Sequence, residues 1–151
     1  MENKEILTKN PEETRFAAGE FIREVLKEKG GNGAVLICLR GDLGAGKTTF
    51  VQGIGQALGV RETLNSPTFL IMKKCPLSGG YAGKCLYHFD TYRISAAEDI
   101  MDLGWEEIIS GRHNIVVVEW PEKISSILPK RKIDIDFRHI SENERRIIFS
   151  S

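Results

Sequence analysis

The sequence predicts an α/β fold with a mixed sheet, and three observations support that prediction. Two short apolar runs, Ala34–Leu39 and Ile115–Val118, have the composition of strands that are covered on both faces. A helical pattern of apolar residues precedes the first run, and a glycine-rich loop with a second helical segment follows it. Strands that alternate with helices in this way indicate a largely parallel sheet flanked by helices.

The first half of the chain carries recognisable helix boundaries. Asn10 has a capping side chain, a proline follows it at the first helical position, and acidic residues occupy the first turn. We expect this helix to end at Gly30. The helix after the glycine-rich loop is predicted to extend to Leu58, with Gly59 as its C-cap.

A hairpin is predicted in the middle of the chain, between a strand at Thr68–Met72 and a partner at Lys84–Phe89. The stretch between these two segments is rich in turn residues. Ser95 and Glu98 have the spacing of a capping box, which predicts a helix that runs toward Leu103.

The last third of the chain is predicted to add a helix or turn and two more strands. Trp105–Ile109 continues as helix or turn before the apolar run that ends at Val118. Lys132–Phe137 and Arg145–Phe149 alternate between apolar and polar residues like two exposed antiparallel strands.

The composition is that of an ordinary globular protein. The 151 residues contain 21 basic and 21 acidic side chains, with 41% hydrophobic and 28% charged residues, which suits one domain over residues 1–151. The zero net charge argues against stand-alone nucleic-acid binding, which favours a basic protein. A short basic run, Lys130–Lys132, is interpreted as a solvated turn rather than as a nucleic-acid patch.

Compartment and metal content can also be predicted from the sequence. The apolar runs are too short for a membrane span, and the first residues are too polar for a signal peptide. Three cysteines without a C-x-x-C pair favour a reducing compartment, so we expect a cytoplasmic protein. Cys75, Cys85 and His88 are conceivable zinc ligands, but a fourth ligand at matching spacing is missing, which favours ordinary structural cysteines.

The strongest motif lies at Gly41–Thr48, where G-D-L-G-A-G-K-T matches the pattern G-x-x-x-x-G-K-[ST]. Its glycines let the backbone approach an anion closely, and the amides of the loop and of the next helix surround phosphates. Lys47 would place a cation on the β- and γ-phosphates of a nucleotide, and Thr48 would offer its hydroxyl to Mg²⁺. We expect the following residues to bind the nucleotide: Asp42, Leu43, Gly44, Ala45, Gly46, Lys47, Thr48 and Thr49.

Two apolar runs end in a carboxylate that can serve a metal beside this loop. Ile115–Glu119 resembles a Walker B strand with glutamate in place of aspartate, and Leu86–Asp90 is the second run. A solvated carboxylate at a strand end is the alternative for each. Adenine is favoured as the base by default, because no N-K-x-D motif follows the loop and Asp102–Gly104 is one residue too short for D-x-x-G.

Several fragments occur together and in the order found in one known family: Asn10–Thr14, Gly41–Thr49, Asn65–Phe69, His88–Arg93 and Val118–Trp120. Over about residues 10–130 the chain resembles the TsaE family, also called YjeE/YdiB, of small bacterial P-loop ATPases of threonylcarbamoyladenosine (t6A) synthesis on tRNA. The resemblance implies a P-loop NTPase-like three-layer sandwich. Its mixed, mainly parallel sheet would be flanked by helices and include an antiparallel hairpin and C-terminal strands.

The same resemblance implies an activity and partners. Proteins of this family hydrolyse ATP with Mg²⁺ and work with TsaB and TsaD, of which TsaD carries the transfer chemistry. Hydrolysis would drive a conformational cycle of that complex, and tRNA would be reached indirectly through the partners. No contact with a membrane is implied.

The resemblance also implies a role for each motif residue. Lys47 and the loop amides would hold the phosphates of ATP, and Thr48 and Glu119 would hold Mg²⁺. Asp90 would serve the metal or the attacking water, since a carboxylate can do either. Lys47, Asp90 and Glu119 are therefore the expected catalytic residues, and Thr48, Glu119 and Asp90 the expected metal ligands.

Other motif residues keep two interpretations. Thr68 resembles a switch residue that binds near the γ-phosphate, with a rigid turn set by Pro67 as the alternative. His88 is interpreted as a residue that packs or orients its neighbour rather than as a general base. Tyr92 and Arg93 would bridge to phosphate or to a partner, with a surface ion pair as the alternative for Arg93. Trp120 would pack near the site, stack on a base or contact a partner.

Two further functions stay open on the residues alone. A small-molecule kinase can be built on one P-loop domain of this size, although no arginine-rich lid is seen. ADP production stimulated by small hydroxyl acceptors would reveal it. A nucleotide-dependent interaction switch would bind partners in the presence of ATP and produce almost no ADP.

Overall fold

One sheet organises the part of the chain, residues 3–60 and 70–151, that the computed structural model describes. Its strands are β1 (Lys4–Thr8), β2 (Val35–Arg40), β3 (Met72–Pro76), β4 (Cys85–Asp90), β5 (Asn114–Glu119), β6 (Ile133–His139) and β7 (Arg145–Ser150). The helices are α1 (Pro11–Glu28), α2 (Lys47–Ala57), α3 (Glu98–Met101) and α4 (Trp105–Ser110), with 3-10 segments at Gly79–Tyr81 and Pro121–Ile127.

The strand order in the sheet is β1-β7-β6-β2-β5-β4-β3. Strands β6, β2, β5 and β4 run parallel, whereas β7 is antiparallel to both β6 and β1, and β3 is antiparallel to β4. Leu39 on β2 and Asp90 on β4 are both in register with Glu119 on β5. The last residues of these strands therefore meet at one edge, here called the carboxyl end of the sheet, and the predicted mixed, mainly parallel sheet is confirmed.

Helices cover both faces of the sheet, which confirms the predicted three-layer sandwich. Ile37 on β2 packs into a buried cluster with Phe50 of α2 and with residues of α1. Cys38, the next residue, packs into a second cluster with Trp105 of α4 and with Ile100 of α3. Because neighbouring strand residues point to opposite faces, this alternation explains why Val35–Leu39 of β2 are all apolar.

The predicted start of the first helix is confirmed, and both helices end slightly earlier than predicted: α1 ends at Glu28, and α2 ends at Ala57 with Leu58 rather than Gly59 as its C-cap. The side chain of Asn10 accepts a hydrogen bond from the N–H of Glu13 at 2.8 Å, and the Glu13 carboxylate accepts one from the N–H of Lys9 at 2.9 Å. The first bond satisfies a donor that the first turn of α1 leaves open, and the second ties the residue before the N-cap to that turn. Gly59 has a φ of +80°, the left-handed conformation that follows the end of a helix.

The predicted hairpin is confirmed, but its first strand is displaced. It begins at Met72 and runs to Pro76 instead of covering Thr68–Met72, of which residues 68 and 69 lie outside the described part of the chain. Pairing with β4 starts at Met72, which lies opposite Phe89. β3 is an edge strand, and such strands tolerate polar residues. The apolar residues used to predict this strand therefore lie before its actual start.

The predicted capping box at Ser95 and Glu98 is wrong. The carboxylate of Asp99 accepts hydrogen bonds from the two backbone amides at residues 95 and 96, at 3.1 and 3.4 Å, and α3 is a single turn. Gly104 then adopts a φ of +86°, so that the helix does not continue to Leu103. A new helix, α4, starts directly after it, which confirms the helical interpretation of that segment.

The C-terminal strands are antiparallel to each other as predicted, but their exposure was predicted wrongly. β6 lies beside β2 and parallel to it, and one face of each strand belongs to the core. The residues on those faces are Ile135, Phe137, Ile147 and Phe149. Strand β1, a short and mostly exposed segment at the outer edge, was not predicted. No helix among the described residues is long and apolar enough to cross a membrane.

Candidate functional site

The glycine-rich loop connects the last residue of β2 to the first residue of α2 at the carboxyl end of the sheet. Gly41 has a φ of +144°, and a Cβ there would lie 2.8 Å from the carbonyl oxygen of Phe137. Gly46, the N-cap of α2, has a φ of +104°. Both positions therefore require glycine, and the predicted strand–loop–helix arrangement of the motif is present.

Lys47 is folded back onto the loop that precedes it. Its side chain is buried, with 4% of the residue exposed, and Nζ donates a hydrogen bond to the carbonyl oxygen of Gly41 at 2.5 Å. The same ammonium lies 3.7 Å from the ring centroid of Trp120, over the face of the indole. Burial lowers the pKa of Lys47, while the nearby carboxylates of Glu119, Glu122 and Asp90 oppose that shift.

The two predicted carboxylates lie on neighbouring strands. Asp90 ends β4 and Glu119 ends β5, and the register of these parallel strands places the two residues directly beside each other. Oδ1 of Asp90 accepts a hydrogen bond from the N–H of Tyr92 at 3.0 Å. Burial raises the pKa of the half-buried Asp90 carboxyl, and the negative charge of Glu119 raises it further.

His88 is fully buried below this pair, and it contacts Glu119 rather than its neighbour Asp90. Its Nε2 lies 2.6 Å from Oε2 of Glu119, in a hydrogen bond that the carboxylate accepts. The other ring nitrogen, Nδ1, has no hydrogen-bond partner among the described residues. The expected orienting role of His88 therefore acts across the sheet, from β4 to β5.

The end of β5 is held in an unusual conformation. Trp120 has a φ of +59°, and no other non-glycine residue in the described part of the chain has a positive φ. The hydroxyl of Thr91 donates to the carbonyl oxygens of Glu119 and Trp120, at 2.9 and 2.5 Å. The indole packs against Tyr92, with ring centroids 5.0 Å apart. These contacts turn Trp120 toward the loop and Lys47.

A cavity of about 620 Å³ lies beside these residues at the carboxyl end of the sheet. The predicted residues that line it are Leu43, Gly44, Gly46, Lys47, Thr48, Thr49, Asp90 and Glu119. Arg93 and Trp120 also line it, whereas Asp42 and Ala45 belong to the loop without lining the cavity, and Thr68 lies outside the described residues.

The cavity has a further wall that the motifs did not reveal. It is formed by Asn10 and Thr14 at the start of α1, by Asn143 in the turn before β7 and by Arg145, the first residue of β7. The pairing of β1 with β7 brings these two chain segments together. The N-terminal fragment was noted as a family feature, but no motif marked Arg145.

Arg145 ties this wall to the glycine-rich loop. Nη2 donates to the carbonyl oxygen of Gly44 at 3.1 Å, and Nη1 donates to the carbonyl oxygens of Ser141 and Glu144, both at 2.9 Å. The guanidinium therefore links two loops that are far apart in sequence. This contact could have been predicted only from the pairing of β7 with β1 and β6.

The zinc alternative has no support in the described part of the chain. Residues three apart on a strand point to opposite faces, so the side chains of Cys85 and His88 on β4 do not converge. Within residues 3–60 and 70–151 no group of three or more His, Cys, Asp and Glu side chains is arranged to hold a metal. Burial raises the pKa of the remaining cysteine, Cys38, to about 12, which keeps it a neutral thiol.

The parallel core, the loop between β2 and α2 and the paired strand-end carboxylates define the chain as an α/β protein of the P-loop NTPase-like fold class. The family model described as "Threonylcarbamoyl adenosine biosynthesis protein TsaE" matches residues 8–147. The chain belongs to the TsaE family.

Individual relatives agree with this assignment. The chain is 36% identical over 130 residues to the "tRNA threonylcarbamoyladenosine biosynthesis protein TsaE" of Treponema pallidum (strain Nichols). The aligned region covers 85% of this chain and 87% of the relative. It is 36% identical over 144 residues to the protein of the same name from Bacillus subtilis (strain 168), with 95% and 83% covered. The crystal structure of YdiB from Bacillus subtilis superimposes with a TM-score of 0.72 at 30% identity, covering 98% of this chain and 84% of that one.

Proposed function

We propose that this chain is a Mg²⁺-dependent ATPase subunit that acts with TsaB and TsaD in t6A modification of tRNA in the cytoplasm. The observation that carries the proposal is the pairing of Asp90 and Glu119 on adjacent parallel strands, beside Lys47. A nucleotide-binding loop alone does not hydrolyse ATP. Two carboxylates at its side supply what hydrolysis needs, a metal partner and a group that positions water.

The phosphates of ATP would be bound by the loop amides, by the N-terminus of α2 and by Lys47. Lys47 would exchange its contacts with Gly41 and Trp120 for the phosphate oxygens, which gives the ammonium a stronger, charged partner. Burial makes the ammonium costly to hold without such a partner.

The donor atoms at the carboxyl end fit a magnesium ion. The hydroxyl of Thr48 and the carboxylates of Glu119 and Asp90 are hard oxygen ligands, and Mg²⁺ in such sites completes its shell with phosphates and water. A bound Mg²⁺ would neutralise charge on the transferred phosphoryl group. His88 would hold Glu119 in one orientation, because its hydrogen bond fixes the carboxylate in the buried pocket.

The base of ATP would lie on the far wall of the cavity, toward Asn10 and Asn143. The Asn143 amide carries both a donor and an acceptor, and the NH2 group of Asn10 adds a donor while its oxygen caps α1, which matches the donors and acceptors on the edge of adenine. Arg145 would keep this wall at a fixed distance from the phosphate loop through its bond to Gly44.

The mouth of the cavity favours docking of a partner protein. Leu43 and Leu70 line the cavity, yet 69% and 65% of their surfaces are exposed, and Tyr92 beside them is exposed as well. Exposed apolar residues grouped at a site are typical of interaction surfaces. In this proposal TsaD and TsaB cover this mouth, and tRNA is reached through the complex.

The proposal is tested by measuring ATP turnover of the chain assembled with TsaB and TsaD. Asp90→Asn and Glu119→Gln are expected to lower turnover by about 100-fold or more, because each removes a charge at the transition state. Glu20→Gln is the matched control: this exposed acid is paired with Arg23 at 3.5 Å on α1 and lies outside the cavity. Full turnover by both site variants would contradict the proposal.

The same assay distinguishes the other two functions. A kinase would release ADP faster when small hydroxyl compounds are added in place of TsaB and TsaD. An interaction switch would bind the partners only with ATP while releasing almost no ADP. Either result would replace the ATPase proposal.

A further inference from the structure

The amino end of the sheet, opposite the glycine-rich loop, carries a concentration of cations. Lys29 follows α1, Lys84 precedes β4, Arg112 precedes β5, and Lys130 and Arg131 precede β6. Since β4, β5 and β6 belong to the parallel part of the sheet, their first residues lie at the same edge. We call these five side chains the amino-end cluster.

Two structural features bring the members of the amino-end cluster together. β4 and β5 are in register from their first residues, so Lys84 and Arg112 precede neighbouring strands. Lys29, Lys130 and Arg131 line one groove of about 360 Å³. Four segments that are distant in sequence therefore contribute positive charge to one surface.

Arg131 is held in place within this cluster. Its Nη2 donates to the carbonyl oxygen of Gly30, and its guanidinium occupies the space in which a Cβ of Gly31 would lie. Gly31 has a φ of +84°, so the turn after α1 is shaped around the arginine.

The cations of the amino-end cluster outnumber the acidic groups beside them. Within the described part of the chain none of the five members forms an ion pair, although Glu28 and the C-terminal Ser151 line the same groove. The adjacent Lys132 differs, because it pairs with Asp134 at 3.2 Å. On a chain with zero net charge, this makes the amino end locally basic.

The members of the cluster also act on one another. Burial lowers the pKa of Lys29, and the positive charges of Lys84, Arg131 and Arg112 lower it further. Cations near the last turn of α1 are favoured by the helix dipole, but one or two suffice for that. The additional like charges raise the free energy of the unbound protein, and an anionic partner would remove that cost.

The surroundings favour a phosphate backbone over a protein or a membrane as that partner. Protein interfaces and membrane surfaces are anchored by large apolar side chains. The exposed large apolar residues of the described chain are Leu7, Phe16, Leu43, Leu70, Tyr92, Leu103 and Ile140, and none belongs to the segments of the cluster. Guanidinium groups, in contrast, match the geometry of phosphate oxygens.

We propose that the amino-end cluster is a contact site for the phosphate backbone of RNA, separate from the cavity at the carboxyl end. The site adds a direct contact to the indirect access through partners, and it does not depend on ATP hydrolysis. With no more than five cations, binding by the chain alone is weak and falls steeply with salt, because each phosphate contact contributes about 0.7–0.9 to the slope of log affinity against log salt.

The test measures binding of a fluorescently labelled, unmodified tRNA transcript to the full chain by anisotropy over a salt titration. The triple variant Lys29→Gln, Lys84→Gln, Arg112→Gln is expected to lose about tenfold in affinity at low salt and to reduce the salt slope by about 2–3. Arg131 is kept, because it also holds the Gly30 turn.

The matched control removes three exposed cations elsewhere, Lys4→Gln, Arg23→Gln and Lys123→Gln, and so has the same net charge. It is expected to keep most of the affinity and the slope of the unmodified chain. An equal loss in both triple variants would overturn the proposal, as would the absence of binding by the unmodified chain at low salt.

Two further measurements distinguish this site from its alternatives. Saturating Mg²⁺-ATP is expected to leave tRNA binding unchanged, and displacement of the tRNA would place it in the nucleotide cavity instead. Poly-glutamate is expected to compete poorly, and equal competition by this polymer would indicate an acidic protein as the partner. The melting temperature of the cluster variant is expected to stay or rise, whereas a fall would show that the cations serve only the fold.

Discussion

The charged side chains at the two ends of the sheet differ in burial and in pairing. At the carboxyl end Lys47, His88 and Glu119 are buried and contact one another or the backbone. At the amino end, Arg112 and Arg131 are exposed and form no ion pair in the described part of the chain. Buried charges are expensive and are kept where chemistry needs fixed groups, whereas exposed charges act at long range and depend on salt.

This difference predicts that substitutions at the two ends have different consequences. Changes at the carboxyl end should alter nucleotide binding, turnover or folding stability under all salt conditions. Changes at the amino end should alter only salt-dependent association. The predictions below test this contrast at individual residues.

The largest effect is expected for Lys47→Ala. Loss of the ammonium removes a charged contact to the phosphates, so nucleotide affinity should fall by about 100-fold or more, or about 3 kcal/mol. Calorimetric titration with ATP measures it. Lys123→Ala, which removes an exposed lysine, serves as the control and should bind ATP as the unmodified chain does. Equal affinities of the two variants would remove Lys47 from the site.

The next effect is expected for His88→Ala. It removes one hydrogen-bond donor from the buried Glu119 carboxylate, which should lower the free energy of unfolding by about 2 kcal/mol and reduce turnover. His88→Gln, which keeps a donor, should recover part of the loss. Urea unfolding provides the measurement. His113→Ala, an exposed histidine at the amino end, should unfold at the same urea concentration as the unmodified chain.

Arg145→Ala should give a smaller effect, because it leaves the phosphate-binding groups in place. Loss of the link between Gly44 and the turn before β7 should weaken ATP binding by about tenfold. The neighbouring Arg146 is a matched control, since it pairs with Glu5 at 3.0 Å on the exposed outer edge. Arg146→Ala should change both affinity and stability very little. If the two alanine variants bind ATP equally, the proposed link has no role.

The smallest effect is a gain in stability in Asp90→Asn. Burial raises the pKa of Asp90, which means that the folded state disfavours its charged form. The neutral amide should therefore stabilise the fold at neutral pH by about 0.5 kcal/mol, a small value because the group is partly exposed. The gain should disappear as the pH falls through the raised pKa, where the wild-type carboxyl becomes neutral as well. Thermal unfolding at several pH values tests this, and a variant less stable at neutral pH would contradict it.

Local patterns were sufficient to predict the centre of the molecule. The apolar runs of β2 and β5 require burial on both faces, and the glycine-rich loop can only join a strand to a helix. Asp90 and Glu119 were identified separately, each as the last residue of a strand. Their close approach follows once these strands are parallel and adjacent.

Contacts that depend on register could not be predicted in the same way. The bond from His88 to Glu119 and the link from Arg145 to Gly44 join residues far apart in sequence, and no short motif encodes such distances. β1 was missed because a short edge strand needs little apolar surface. The C-terminal strands were predicted to be exposed for a related reason. Alternation of apolar and polar residues shows that one face of a strand is covered, but it does not show which element covers that face.

The pairing of β1 with β7 has a consequence for the order in which the protein opens. Lys4 pairs with Phe149, so this contact closes a long loop and is entropically the most demanding pairing to form. Such outer pairs exchange their amide hydrogens through local openings. Because Asn10 follows β1 and Arg145 begins β7, each opening would also dismantle one wall of the cavity. A bound nucleotide should therefore slow hydrogen exchange along β1, although that strand itself lies at the outer edge of the sheet.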